Sequence, residues 1–166
     1  MIDPLHRIDV ENIESLIEAH RYFVLHAPRQ TGKTTCLLAL MHHLNQQGHY
    51  RALYVNIEAA QSARSDVQRG MAAIVRALAS AALVYWKDAN AAQQARDVLQ
   101  TQGADDWLRT VLEHWALHSE NPLVLLFDEV DALVGDTLIS LLRQIRAGYA
   151  QRPMAFPQTV VLCGVR

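Results

Sequence analysis

The chain has 166 residues, 51% hydrophobic and 19% charged, the size of one ordinary domain with a sizeable core, so residues 1–166 are expected to form a single unit. Its 15 basic and 17 acidic residues leave a formal net charge of −2, so no overall positive field points to nucleic acid or to an anionic membrane. Of the basic residues only Lys33 and Lys87 are lysines, which makes each of them informative.

The opening segment MIDPLHRIDVEN lacks the basic lead and apolar stretch of a secretory signal, and no anchoring motif follows it. The longest apolar stretch, Met71 to Trp86, is interrupted by Arg76 and falls short of the roughly 20 residues of a spanning helix, so no membrane span is expected. Cys36 and Cys163 lie far apart without the spacing of a zinc or redox pair, and reduced core thiols in a cytoplasmic protein are expected.

Along the chain, short β-rich runs alternate with longer helical patterns, the signature of a parallel sheet wrapped by helices. Val10 to His20 reads as an opening helix. Tyr22 to His26 reads as the first strand and Lys33 to Gln47 as a helix ended by Gly48. Ala52 to Ile57 is the second strand and Asp66 to Trp86 a long apolar helix. The Ala/Gln-rich stretch Lys87 to Gly103 is either an exposed helix or a connector. Asp105 or Asp106 is positioned to cap a helix carrying Trp107, Val111, Leu112 and Trp115. Leu123 to Phe127 is the third strand. Asp136 is the expected cap of a last helix with Leu138, Leu141, Leu142 and Ile145 as its buried stripe, and Thr159 to Cys163 is the fourth strand. The strands are nearly continuous in apolarity, as strands buried on both faces are.

After the first strand stands Ala27-Pro28-Arg29-Gln30-Thr31-Gly32-Lys33-Thr34-Thr35. It matches the phosphate-binding loop pattern except that Ala27 occupies the first glycine position. A strand delivers the loop of residues 28–35, its backbone N–H groups from Arg29 onward are available to wrap phosphates, Pro28 having none, and the following helix aims its positive end at them. In that pattern Lys33 reaches the β- and γ-phosphates and the Thr34 hydroxyl ligates Mg²⁺. Gly32 admits a close backbone approach.

The third strand ends in Phe127-Asp128-Glu129. A buried strand presents Asp128 at the carboxyl edge of the sheet, where it can hold Mg²⁺ or a Mg²⁺-bound water. Glu129 then stands where it can orient and deprotonate an attacking water. The bland alternative for both is a solvated strand end that caps the next turn. Asp131 reads as a turn or capping residue.

These two motifs resemble P-loop NTPases with a catalytic glutamate after the Walker B aspartate, and most closely AAA+-type and signal-transducing ATPases. The resemblance spans Tyr22 to Arg166. It implies a three-layer αβα fold with a mainly parallel sheet in strand order five, one, four, three, two, which places the Thr159 strand between the first and third. It implies ATP and Mg²⁺ as cofactors, ATP and ADP as ligands, and Glu129 and Lys33 as catalytic. A fifth strand, a helical lid and an arginine finger are normal to such modules. The resemblance therefore also implies a C-terminally incomplete fold at Arg166, with a homo-oligomeric neighbour or further C-terminal sequence supplying the rest. The polar residue that restrains the catalytic glutamate in many relatives falls on Asn56 or Glu58, with Asn56 the better candidate; a locally satisfied strand-end Asn is the alternative. No residue is assigned as sensor 1, because the strand ends Cys163-Gly164-Val165-Arg166 and the polar Thr159 and Arg166 lie off the expected position.

Two rival functions find no support: the Asn-Lys-x-Asp guanine-reading motif and the Asp-x-x-Gly switch of GTPases do not occur, and Glu129 argues for hydrolysis over small-molecule phosphorylation. A nucleotide-binding switch without turnover stays open. His114 and His118, one helical turn apart, lack a third ligand and read as boundary residues. Arg29, Arg143 and Arg146 read as exposed charges.

Overall fold

The computed structural model describes residues 3–7, 9–27, 32–101 and 103–165. Four strands, β1 (Phe23–Ala27), β2 (Arg51–Asn56), β3 (Leu123–Asp128) and β4 (Thr159–Val165), pair in parallel in the order β1-β4-β3-β2. Because all run the same way, their carboxyl ends share one edge. The latest strand in sequence stands between the first and third, as the resemblance implies. Every residue of β3 is buried, which accounts for a strand with no polar residue before Asp128.

Six helices cover the sheet among the described residues: α1 (Val10–Glu18), α2 (Lys33–Gln47), α3 (Val67–Ala81), α4 (Ala89–Val98), α5 (Ala104–Leu117) and α6 (Gly135–Ala147). On one face α1 and α2 close a core of Ile13, Ile17, Leu37, Leu40, Met41 and Leu44 against alternate residues of the strands. On the other, α3 to α6 bury a larger core around Ile74, Leu78, Leu108, Trp115 and Phe127. Each fully buried aliphatic side chain contributes about 1.5–3 kcal/mol.

The helix starts show where local signals decide and where they do not. Asp9, Asp66 and Asp88 cap α1, α3 and α4, each accepting from the backbone N–H three residues on. α5, by contrast, starts from Gly103 and α6 from Val134. Asp105, Asp106 and Asp136 therefore lie inside the first turn rather than at the cap, where their charge favours the helix dipole. The stretch after Lys87 resolves as helix α4, whose Ala92, Ala95 and Val98 are buried against the core. On α6, Leu141 and Ile145 are buried, but Leu142 is exposed, and Thr137, Ser140 and Gln144 share the inner face instead. There the Gln144 amide accepts from Arg109 N and donates to Ala104 O, tying α6 to α5.

The long apolar helix corrects the expectation drawn from its length. α3 continues through a π-helical turn, Ala82–Trp86, so the helix runs 20 residues from Val67 and is long and apolar enough to cross a membrane. Half of that span is buried within the protein, against α4, α5 and α6. Its apolarity is thus used by the core. The π-helical turn also protects the outer edge of β2. Trp86 Nε1 donates to Ala52 O at 2.8 Å, and Asn45 bonds both the N–H and the C=O of Ala52. An edge strand whose backbone is thus engaged is a poor template for further pairing.

Candidate nucleotide site

Lys33, Thr34, Asp128 and Glu129 come from two elements, α2 and the end of β3, that meet at the carboxyl edge of the sheet. α2 begins at Lys33 after Gly32, whose φ of 75° is the left-handed region that favours glycine. The helix ends at Gly48, as the sequence predicts. The N–H groups of its first turn have no partner within the helix and face the edge. The buried residues Cys36, Leu37, Leu40, Met41 and Leu44 hold α2 on the sheet and so fix where Lys33 and Thr34 project. Pro28, Arg29, Gln30 and Thr31 lie outside the described residues.

From the other side β3 delivers Asp128, fully buried, and the chain turns at Glu129 with φ 63°. A non-glycine residue in that region is uncommon and costs about 1 kcal/mol. Asp128 Oδ1 accepts from Glu129 N at 2.9 Å and lies 3.0 Å from Lys33 Nζ. Its Oδ2 accepts from Thr34 Oγ1 at 3.1 Å and from Tyr54 OH at 2.6 Å. Lys33 Nζ also donates to Glu129 Oε1 at 3.0 Å. Burial pulls the Lys33 ammonium toward its neutral form, but the hydrogen bonds to Glu129 and Asp128 outweigh it and hold its pKa above the usual lysine value.

Tyr54 is the site residue that the sequence reading missed. It lies on β2 opposite Leu126 and is buried among apolar residues. A tyrosine in an apolar strand reads as core. The only signal was that a buried phenol needs a partner and the nearest strand ends in a carboxylate. Desolvation first, and the bond to Asp128 second, raise its pKa, so it remains a donor.

Asn56 ends β2 directly opposite Asp128. Its side-chain oxygen accepts from Glu58 N at 2.9 Å in a local turn. Asp131 lies in the turn after Glu129 and leans over Gly164 of β4, where an added Cβ would stand 3.3 Å from its own Cβ. Thr159 is at the opposite end of the sheet, paired with Val124, about four residues or 13 Å from the Asp128 end. Cys163, buried nearer the site, has its thiol pushed up to about 11, by burial first and the field of Asp128 next.

No cluster of three or more His, Cys, Asp or Glu able to hold a metal occurs among the described residues. His114 and His118 stack on each other with ring centroids 4.1 Å apart. Burial first, and the neighbouring ring second, lower the pKa of His114. The pair Thr34 Oγ1 and Asp128 Oδ2 is a set of hard oxygen donors 3.1 Å apart. That chemistry fits Mg²⁺, which is typically held by one or two side chains while phosphates and water complete its octahedron.

A parallel sheet in this order, with a lysine and a threonine opening the helix after the first strand and paired with carboxylates at the end of the third, defines a P-loop NTPase of AAA+ type. The chain matches the AAA ATPase domain family over residues 8–155 and belongs to it. Nucleotide binding of the AAA+ ATPase kind follows from that membership. No curated protein matches the sequence. Among solved structures, a chain of the Drosophila ORC bound to DNA superposes with a TM-score of 0.50 at 18% identity, over 95% of this chain and 37% of that one. At that identity the likeness concerns the fold alone, and this chain spans little more than a third of its neighbour's length.

Proposed function

We propose that the chain, as one ATPase core unit, binds ATP with Mg²⁺ and hydrolyses its β–γ phosphoanhydride bond. The observation that carries this reading is the convergence of Lys33 and Thr34 from α2 with Asp128 and Glu129 from β3 within hydrogen-bond distance. Lys33 would bind the β- and γ-phosphates, the backbone N–H groups of residues 29–35 would wrap them, and Thr34 and Asp128 would hold the cation. Mg²⁺ supplies neutralisation of the charge on the β- and γ-phosphate oxygens. Glu129 orients a water and takes its proton as the water oxygen bonds to the γ-phosphorus and the bridging oxygen leaves with ADP. Asn56, opposite Asp128 at the strand tips, is the candidate restraint on Glu129.

A specific observation also favours a second reading, a nucleotide switch without turnover. Glu129 Oε1 accepts from Lys33 Nζ at 3.0 Å, so that oxygen is occupied and meets an attacking water only once the lysine turns to a phosphate. One set of assays decides. Binding of a non-hydrolysable ATP analogue is expected to survive Glu129→Gln and to be lost in Lys33→Ala; retained binding in the lysine variant refutes the site. Turnover measured across protein concentrations is expected to fall about 10²–10⁴-fold in Glu129→Gln. No wild-type turnover at any concentration leaves the switch.

A further inference from the structure

We infer that Tyr54 is a positioning residue for the cation site: its hydroxyl fixes Asp128 Oδ2 so that the carboxylate meets Mg²⁺ in one orientation. This rests on the proposed reading of the site and deepens it.

A carboxylate offers about four lone-pair positions, and Asp128 receives a donor at each. Oδ1 takes Glu129 N–H and Lys33 Nζ, while Oδ2 takes the hydroxyls of Thr34 and Tyr54. The donors are of two kinds. Lys33 and Thr34 are the groups a phosphate and a cation would engage, so their bonds to Asp128 are exchangeable. The Glu129 N–H belongs to the backbone. The Tyr54 hydroxyl is carried by a ring buried in the α2-side core and packed edge-on to Tyr85 at 6.3 Å. Neither of these two has another task at the site.

When Lys33 and Thr34 turn to a ligand, one fixed donor therefore remains on each carboxylate oxygen. That leaves one lone pair per oxygen facing the site and stops the carboxylate from rotating toward the lysine. Phenylalanine would fill the same space in β2, so the hydroxyl is the part that core packing does not require. Donors that orient a ligating group commonly change metal affinity 10- to 100-fold.

The test uses the full chain with Tyr54→Phe, which keeps the ring and removes the hydroxyl. A fluorescent ATP analogue is titrated in EDTA, then at fixed analogue with increasing Mg²⁺, reading binding rather than turnover. The expected result is an affinity in EDTA within about twofold of wild type, which also shows the variant folded, with the Mg²⁺ half-saturation raised about tenfold or more. Tyr54→Leu, which removes the hydroxyl with a different shape, is the second variant and is expected to show the same Mg²⁺ shift. If the Mg²⁺ half-saturation equals that of wild type in either folded variant, with only thermal stability lowered, the hydroxyl merely satisfies a buried carboxylate and the inference is overturned. If wild type itself binds the analogue equally with and without Mg²⁺, the proposed cation site falls, and the role of Tyr54 falls with it.

Discussion

The Lys33 ammonium stands 3.0 Å from Asp128 Oδ1 and 3.0 Å from Glu129 Oε1, so one cation bridges the buried carboxylate at the tip of β3 and the partly exposed one beside it. Two adjacent carboxylates at a strand end repel each other, and one of them has lost its water. The bridge therefore stabilises the fold. Lys33→Met keeps most of the aliphatic stem and removes the charge. It is expected to cost about 3 kcal/mol, the usual penalty for stranding one member of a buried pair. Urea unfolding of the ligand-free chain measures this, and an unchanged midpoint would show that the remaining donors to Asp128 suffice.

The same network predicts how stability responds to alkali. Cys163 titrates at about 11 when folded, against 9.0 for a free thiol, and Lys33 and Tyr22 are also held above their ordinary values. Burial is the first cause for Cys163 and Tyr22, while for Lys33 the carboxylate bonds prevail over burial. Each group keeps its proton more tightly in the folded state. Its contribution is complete below the unfolded pKa and is lost as pH rises through the folded one. Stability should therefore hold to about pH 9, fall between about 9 and 11 as Cys163 is the first to differ, and keep falling above about 10 with Tyr22 and Lys33. Urea midpoints from pH 7 to 11 test the curve, and Cys163→Ala is expected to delay its onset by about one pH unit.

Much of this was legible in the sequence because the relevant signals are local. The apolar run before Asp128 marks a strand buried on both faces, and Gly32 and Gly48 bracket α2 at the boundaries the periodicity predicts. What escaped is set by neighbours distant in the chain. Gly103 and Val134 start helices although aspartates stand close by, because the entry path of the chain, not the nearest capping side chain, decides where the first turn begins. Ala92 and Ala95 look polar in company, flanked as they are by Asn90, Gln93, Gln94 and Arg96, yet alanine is small enough to bury against α3 and α5. Tyr54 was invisible as a site residue because its partner Asp128 is 74 residues away and only the pairing of β2 with β3 brings them together.

Where α3 crosses α6, Gly70 leaves no room for a side chain. An added Cβ would stand 2.4 Å from Thr137 Cγ2 and 2.8 Å from its Oγ1, and Thr137 is itself fully buried. Two effects oppose each other in Gly70→Ala. Alanine gains about 1 kcal/mol of helix propensity, whereas forcing a methyl into a filled contact costs about 1–3 kcal/mol. At 2.4 Å the overlap prevails, and a net loss of about 1 kcal/mol or more is expected by denaturant unfolding. Removing the obstacle should reverse the sign of the second step: Thr137→Ala is expected to destabilise the wild type but to recover stability in the Gly70→Ala background. Additive losses in the double variant would rule out the contact as the cause.

Asp88 joins the edge of β2 to the start of α4 through two separate oxygens. Oδ1 caps the helix by accepting from Ala91 N at 2.9 Å, and Oδ2 accepts from Arg51 at 2.9 Å. The Arg51 guanidinium in turn lies 3.9 Å from the centre of the Trp86 ring. The Ala91 N–H first, and the arginine second, hold the Asp88 carboxyl below its ordinary pKa. A depressed carboxylate contributes stability above its unfolded pKa and loses it as pH falls through the folded value. Asp88→Ala removes cap and ion pair together and should cost about 1–2 kcal/mol at pH 7. Asp88→Asn keeps a capping oxygen and removes only the charge, so its cost should be about 0.5 kcal/mol, as for other pairs open to solvent. The gap between wild type and Asp88→Asn should begin to close as pH falls below about 4, where the unfolded carboxyl takes up its proton, and keep closing as pH falls through the lower folded value, while the gap to Asp88→Ala persists in part because a protonated carboxyl still accepts from Ala91. Unfolding of the three proteins at pH 7 and pH 3 separates the cap from the charge, and equal losses in both variants would mean that the ion pair, not the cap, holds α4 in place.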